Sequence, residues 1–279
     1  MIHSQRDPFS YLKLDDDVMK SVGMGRVFKD STQRINSLDF FESDDLLVTA
    51  SDDDAIRLYN VSTGVLLDTF YSRKYGVQNI TFTHSPDCVI MSSKESKSVP
   101  SAQAQDVHVI RYMSLHTNTF KRYFKGHVGP VSNLSLSSRD DTFLSASLDK
   151  TVRLWDLRTD TCQGVLRLPP AAEAAPIACM DNQGLVFAVA SEGGRILLFD
   201  TRSSEKGAFA SFQIPDEAQS PLGFSDLKFS HDGTLISAVS QYGKGSVYIL
   251  GAFDGELKRK FTNGIHRGYR NGGAGGGGG

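Results

Sequence analysis

The chain has 279 residues, 39 % hydrophobic and 22 % charged, with a formal net charge of −2 and a pI near 6.4. Such length and apolar content suit one large domain with its own core. The near-balanced charge gives no electrostatic case for direct duplex nucleic acid or an anionic membrane as partner, and no apolar run approaches the ~20 residues that span a bilayer.

In chain order, residues 1–17 (MIHSQRDPFSYLKLDDD) carry no apolar core of a signal peptide, so an intracellular protein is expected. Gly23-Met24-Gly25 is too short for a phosphate loop and lacks a following GK[ST]. From there an alternating first strand is followed five times by a third-strand signature. The pairs are INSLDF from Ile35 with IRLYN to Asn60, QNITFT from Gln78 with the degenerate VIRYMS to Ser114, and VSNLSLS from Val131 with VRLWD to Asp156. IACMD from Ile177 with ILLFD to Asp200, and FSDLKFS from Phe224 with VYILG to Gly251, complete the series. Successive signatures end 54, 42, 44 and 51 residues apart, bracketing the ~40–45 of a WD40 repeat with loop insertions in the longer intervals. The fold class is therefore all-β: a WD40 β-propeller over 18–261, with five recognisable blades near 30–70, 76–125, 126–168, 174–214 and 222–261. The segment 262–279 ends in seven Gly and one Ala, cannot offset the entropy of ordering, and is expected to be a disordered tail.

The stretch KGHVGPVSNLSLSSRDDTFLSASLDKTVRLWDLR, residues 125–158, lays out one blade completely. Asp149 in the turn before the third strand is placed to hold His127, the imidazole to bond a second-strand hydroxyl, and that hydroxyl to accept the indole N–H of Trp155. Ser147 is the expected hydroxyl, with Ser145 as second choice. The Ser, His and Asp form no hydrolase triad, because the hydroxyl would be buried against an indole with no G-x-S-x-G elbow.

Other chemistry-bearing residues read as structural. Cys88, Cys162 and Cys179 form no CxxC and are expected to be reduced core residues. No histidine pair has metal-ligand spacing, and the acidic clusters at 15–17, 44–45, 52–54 and 140–141 mostly fall in turns, where Asp caps backbone. The sequons at Asn60, Asn79 and Asn133 lie on or beside strands and read as chance; Lys258 to Lys260 reads as a solvated face. No enzyme constellation, metal or cofactor is expected.

Six longer strings carry a closer resemblance: SRKYGVQNITFTHSP (72–86), VIRYMSLHTNTFKRYFKGH (109–127), DDTFLSASLDKTVRLWDLRTDTCQG (140–164), GLVFAVASEGG (184–194), EKGAFASF (205–212) and LKFSHDGTLI (227–236). Together they resemble the WD-repeat subunit of the COMPASS histone H3 lysine-4 methyltransferase, the Swd-two family, from about Val18 to Phe261. The resemblance implies a non-catalytic nuclear scaffold with methyltransferase-complex subunits as partners, tied to transcribing RNA polymerase II through its phosphorylated C-terminal domain. Relatives in mRNA 3′-end processing and a nuclear phosphatase assembly are a second implied setting. Family members resemble seven-bladed rings in which an N-terminal strand, here Lys20 to Phe28, completes the last blade. Five blades then suggest a splice or gene-model truncation, ahead of a shortened paralogue or a five-bladed closure, and an open arc would leave unpaired strand edges.

Topology places partner-binding candidates on the face that carries the loops between blades: Arg34, Asp53, Arg73, Lys74, Tyr75, Leu148, Glu192 and Tyr242. Arg73, Lys74 and Tyr75 form the strongest cluster, since a basic pair beside an aromatic suits a phosphorylated peptide. A different function class is also open. Arg158 after Trp155-Asp156, with Arg202 in a second partial copy, fits the WDxR box through which some propellers dock on cullin-RING ubiquitin ligases as substrate receptors.

Overall fold

The computed structural model describes residues 16–41, 45–94, 108–169, 174–215, 223–241 and 245–262. Period-two alternation in short runs bounded by Asp-, Gly- and Ser-rich turns gives β-strands, each pair joined as a hairpin. Blade one consists of β1 (Ile35–Phe41), β2 (Leu46–Ser51), β3 (Ala55–Asn60) and β4 (Val65–Tyr71). Blade two consists of β5 (Ile80–Phe82), β6 (Cys88–Met91), β7 (Ile110–Ser114) and β8 (Thr119–Phe124), and blade three of β9 (Val131–Leu136), β10 (Thr142–Ser147), β11 (Thr151–Asp156) and β12 (Cys162–Arg167). Blade four consists of β13 (Ile177–Met180), β14 (Val186–Ala190), β15 (Arg195–Asp200) and β16 (Ala210–Gln213). Blade five is β17 (Phe224–Phe229), β18 (Leu235–Ser240), β19 (Val247–Gly251) and β20 (Leu257–Phe261). Every sheet is an antiparallel meander in chain order, as the all-β propeller reading requires.

Four apolar seams join the blades. Val48, Ala50 and Ile56 of blade one meet Ile80, Phe82 and Met91 of blade two. Ile90, Ile110 and Phe124 of blade two meet Phe143 and Trp155 of blade three. Leu144 and Ala146 then pack on Ala178 and Val189, and Ala188, Ile196 and Leu198 on Phe224, Ile236 and Tyr248. Side chains alternate across each sheet, so every blade sends one set of residues backward and one forward. Polar contacts on the inner strands repeat the direction: Asp39 accepts from Thr81 Oγ1 at 2.6 Å and Phe82 N at 2.8 Å, and Asn133 Oδ1 accepts from Ala178 N at 3.1 Å.

No such seam joins blade five to blade one among the described residues. On β1, Ser37, Asp39 and Phe41 face blade two, while Leu38 and Phe40 on the opposite side are 54 % and 58 % exposed. At the other end every residue of β20 is exposed.

The expected N-terminal strand at Lys20 to Phe28 is not formed. Asp16–Ser21 is instead a short helix, α1, and residues 22–31 have no strand structure. Blade five already owns four strands, so no three-stranded sheet awaits completion. The segment lies on the outer side of blade one: Phe28 packs on Tyr59 with ring centroids 4.5 Å apart, Arg26 donates to Thr63 O at 3.1 Å, and Arg57 donates to Ser31 Oγ at 3.1 Å. The expectation for the Gly-rich tail falls almost wholly on 263–279, outside the described residues.

The unequal seams predict unequal stability. Amide exchange should be fastest in blade one (Ile35 to Phe70) and blade five (Phe224 to Phe261), and slowest around Val131 to Leu157. Uniform protection over all five blades would mean that the two ends are covered.

Candidate functional site

Blade three shows how a polar chain is locked inside a sheet. His127 Nδ1 lies 2.9 Å from Asp149 Oδ2, and His127 Nε2 lies 2.7 Å from Ser145 Oγ. Trp155 Nε1 donates to the same Ser145 oxygen at 2.8 Å. Ser145, not the expected Ser147, is therefore the shared hydroxyl. The register explains it: β10 residue Phe143 pairs with Trp155, which puts Ser145 on the diagonal of the indole, whereas Ser147 stands past a bulge at the strand end. Ser147 Oγ donates instead to Gly129 O at 2.9 Å.

Thr151 extends the chain by donating from Oγ1 to Asp149 Oδ1 at 2.6 Å, and Val128 N donates to Oδ2 at 3.0 Å. Burial pushes the Asp149 carboxyl up, but the hydrogen bonds from His127, Thr151 and Val128 outweigh it and hold it well below the usual carboxylate range. Ser145 is fully buried, its oxygen taken by an imidazole and an indole. The arrangement holds a blade together and presents no reactive hydroxyl to a substrate.

A cavity of about 460 Å³ opens at the seam between blades one and two. Its cations are Arg73, Lys74, Arg111 and Lys125, and its aromatic wall is Tyr71, Tyr75, Phe120 and Tyr123. The sequence places them there in two pieces. The β4–β5 loop turns sharply at Gly76, whose φ of +61° and whose missing Cβ, which would stand 2.7 Å from Lys94 Cβ, exclude other residues without strain. This turn carries Arg73, Lys74 and Tyr75. Tyr71 ends β4, and the hairpin β7–β8 with the residue after it supplies the rest, with Arg111 directly opposite Tyr123.

Arg111 is the deepest of the four cations, only 2 % exposed. It donates from Nη1 to Ser72 Oγ at 3.2 Å, and from Nη2 to Gly76 O at 3.2 Å and Ser93 Oγ at 2.8 Å. Its Nε–H is buried with no partner, and no carboxylate touches it among the described residues. Loss of hydration on burial pulls its pKa down to about 10. Aromatic faces flank the guanidinium, with Tyr75 at 4.9 Å and Phe120 at 5.9 Å from ring centroid to Cζ. Nearer the rim, Lys74 Nζ lies 4.7 Å over Tyr75 and Arg73 Cζ 5.2 Å over Tyr71.

Of the residues expected to bind a partner, Arg73, Lys74 and Tyr75 come together in this cavity. None of the other described candidates joins them. Asp53 is engaged within its own blade, bonded by Arg57 Nη2 at 2.7 Å and Thr32 N at 3.2 Å. Glu192 Oε2 accepts from Ala174 N at 3.2 Å. Arg34 and Leu148 are exposed at turns, and Tyr242 lies outside the described residues. Arg158 closes on Asp156, donating from Nη2 at 2.6 Å, while Arg202 is exposed beside Asp200. Sequence reading missed Arg111, Phe120, Tyr123 and Lys125. Period two puts Tyr123 and Lys125 on one side of β8, but Phe120 joins them only through the bulge in the β7–β8 pairing, which no local pattern encodes.

Two outcomes follow for the blade-three chain. His127→Ala and Trp155→Ala should each cost roughly 2–4 kcal/mol, and Ser145→Ala should cost more than Ser147→Ala, because it orphans two buried groups; urea unfolding midpoints measure both. Asp149 titrates below its unfolded value of roughly 3.9, so its stabilisation is complete at neutral pH and declines as pH falls through ~4 towards the folded value. Asp149→Asn should flatten the loss of stability between pH 5 and 3; an unchanged pH slope would contradict the assignment.

Comparison with known proteins agrees with this geometry. Residues 24–60 and 118–156 match the family model described as WD domain, G-beta repeat. The chain is 39 % identical over 253 residues to Protein ANTHESIS POMOTING FACTOR 1 of Arabidopsis thaliana, covering 91 % of this chain and 72 % of that protein. It is 39 % identical over 252 residues to WD repeat-containing protein 82 of Drosophila melanogaster, covering 90 % of this chain and 74 % of the relative. To COMPASS component SWD2 of Saccharomyces cerevisiae it is 33 % identical over 224 residues, covering 80 % and 62 %. With a tetrad-locked blade and similarity over most of its length, the chain belongs to the WD-repeat family of WD repeat-containing protein 82 and SWD2.

Proposed function

We propose that the protein is a non-catalytic scaffold subunit of a nuclear, COMPASS-like histone H3 lysine-4 methyltransferase complex, and that it links the complex to transcribing RNA polymerase II. The observation that carries this reading is 33 % identity to a COMPASS component over four-fifths of the chain. The architecture supports it: strands and their turns present broad loop-bearing faces, and the sole Ser-His-Asp constellation discussed above is sealed inside a blade. The aromatic, cationic cavity with Arg73, Lys74 and Tyr75 at its rim supports the polymerase link, since such a surface suits a phosphorylated peptide.

Reconstitution tests the proposal. The isolated chain should transfer no methyl group to histone H3, whereas adding it to a Set1-type methyltransferase assembly lacking this subunit should raise the yield of intact complex or of methylated nucleosome. Turnover by the chain alone, abolished by substituting one of its own polar residues, would overturn the scaffold role; an assembly indifferent to the chain would overturn the complex.

A further inference from the structure

Arginines occupy one register position in three successive blades: Arg57 pairs across the sheet with Thr49, Arg111 with Met91 and Arg153 with Ser145. Blade one satisfies its arginine with a carboxylate, Asp53, held at 2.7 Å. Arg111, the most buried of the three, has two hydroxyls and a carbonyl as hydrogen-bond acceptors among the described residues, all neutral, and an unpartnered Nε–H, a feature that Arg153 shares. A buried guanidinium without an anion is costly, and its planar fork matches the oxygens of a carboxylate or a phosphate, of which the phosphate carries the larger charge. Three further cations, Arg73, Lys74 and Lys125, stand around the same cavity, and no carboxylate is among the described residues that line it.

Depth decides which phosphate. Arg111 sits at the floor, below rings of Tyr75 and Phe120 that flank it, while Arg73 and Lys74 are exposed at the rim. Phosphoserine carries its phosphorus one oxygen beyond Cβ, so from a backbone lying across the rim it meets Arg73 and Lys74 first. Phosphotyrosine carries the group at the far end of a ring, which spans an aromatic wall and stacks on it while the phosphate descends. Resting on the reading that this cavity receives a phosphorylated peptide, we propose that it is a phosphotyrosine pocket in which Arg111 is the phosphate receptor and Tyr75 and Phe120 clasp the ring.

The test uses the full chain and a fluorescein-labelled extended peptide with phosphotyrosine, phosphoserine or tyrosine at one central position, read by anisotropy. The phosphotyrosine peptide should bind at least about tenfold more tightly than either other, and Arg111→Gln should remove that preference. Inorganic phosphate should compete only at far higher concentration. Should Arg111→Gln fail to fold, Phe120→Ala, a change at a 41 % exposed side chain, carries the test by weakening phosphotyrosine binding selectively. Phosphoserine binding equal to or tighter than phosphotyrosine would overturn this proposal and leave the phosphopeptide reading standing. Indifference to phosphorylation would overturn both, and phosphotyrosine binding untouched by these variants would remove the pocket from the account.

Discussion

A four-stranded blade has two faces, and neither buries itself. Each sheet is stable because a neighbour covers it, and the four apolar seams are where this chain gains its core. The same constraint explains why similar sequence units tolerate different interiors. Blade three uses His127, Ser145, Asp149 and Trp155, whereas blade one, with Ser31, Thr49, Asp53 and Tyr59 near the corresponding places, substitutes the Arg57–Asp53 ion pair. The Asp53 carboxyl is accordingly held far below the usual carboxylate range, first by the Arg57 hydrogen bond, against the opposing effect of burial. Either solution fixes the turn between second and third strands and so the angle at which the next seam is offered.

The cavity beside Arg111, the proposed phosphate-binding site, is a by-product of that scheme. Blade two keeps the arginine of its neighbours, no carboxylate among the described residues pairs with it as Asp53 pairs with Arg57, and the Gly76 turn folds loop residues over it. Charge is thereby stored at a seam, where two blades hold it rigidly. A receptor built on strand β7, with its hydroxyl partners supplied by the adjoining loop, is better positioned than one carried wholly by a flexible loop. Scaffold and binding site are then one structure: loosening the first seam would disorder the pocket.

The fold was legible because strand alternation and the GH and WD dipeptides are local signals, and each of the five third-strand signatures lies on a third strand of the structure. Family membership was legible for a similar reason, through long strings such as DKTVRLWDLR. Ser145 was harder, since choosing it over Ser147 needs the cross-strand register and a bulge that no local pattern encodes. The N-terminal segment was misread as a strand because the analogy supplied a vacancy that blade five does not have. Arg111 was missed because its distinction lies in what surrounds it. An arginine inside an apolar strand reads like Arg57 until it is seen that no carboxylate among the described residues pairs with it.

Function rests on the company the chain keeps, and purification from its own cells tests that most directly. A tagged full-length chain, captured under gentle salt and analysed by mass spectrometry, should bring down the subunits of a Set1-type methyltransferase together with RNA polymerase II. Recovery of a cullin-RING adaptor with no methyltransferase subunit would contradict the account, and would return attention to Arg158 and Arg202.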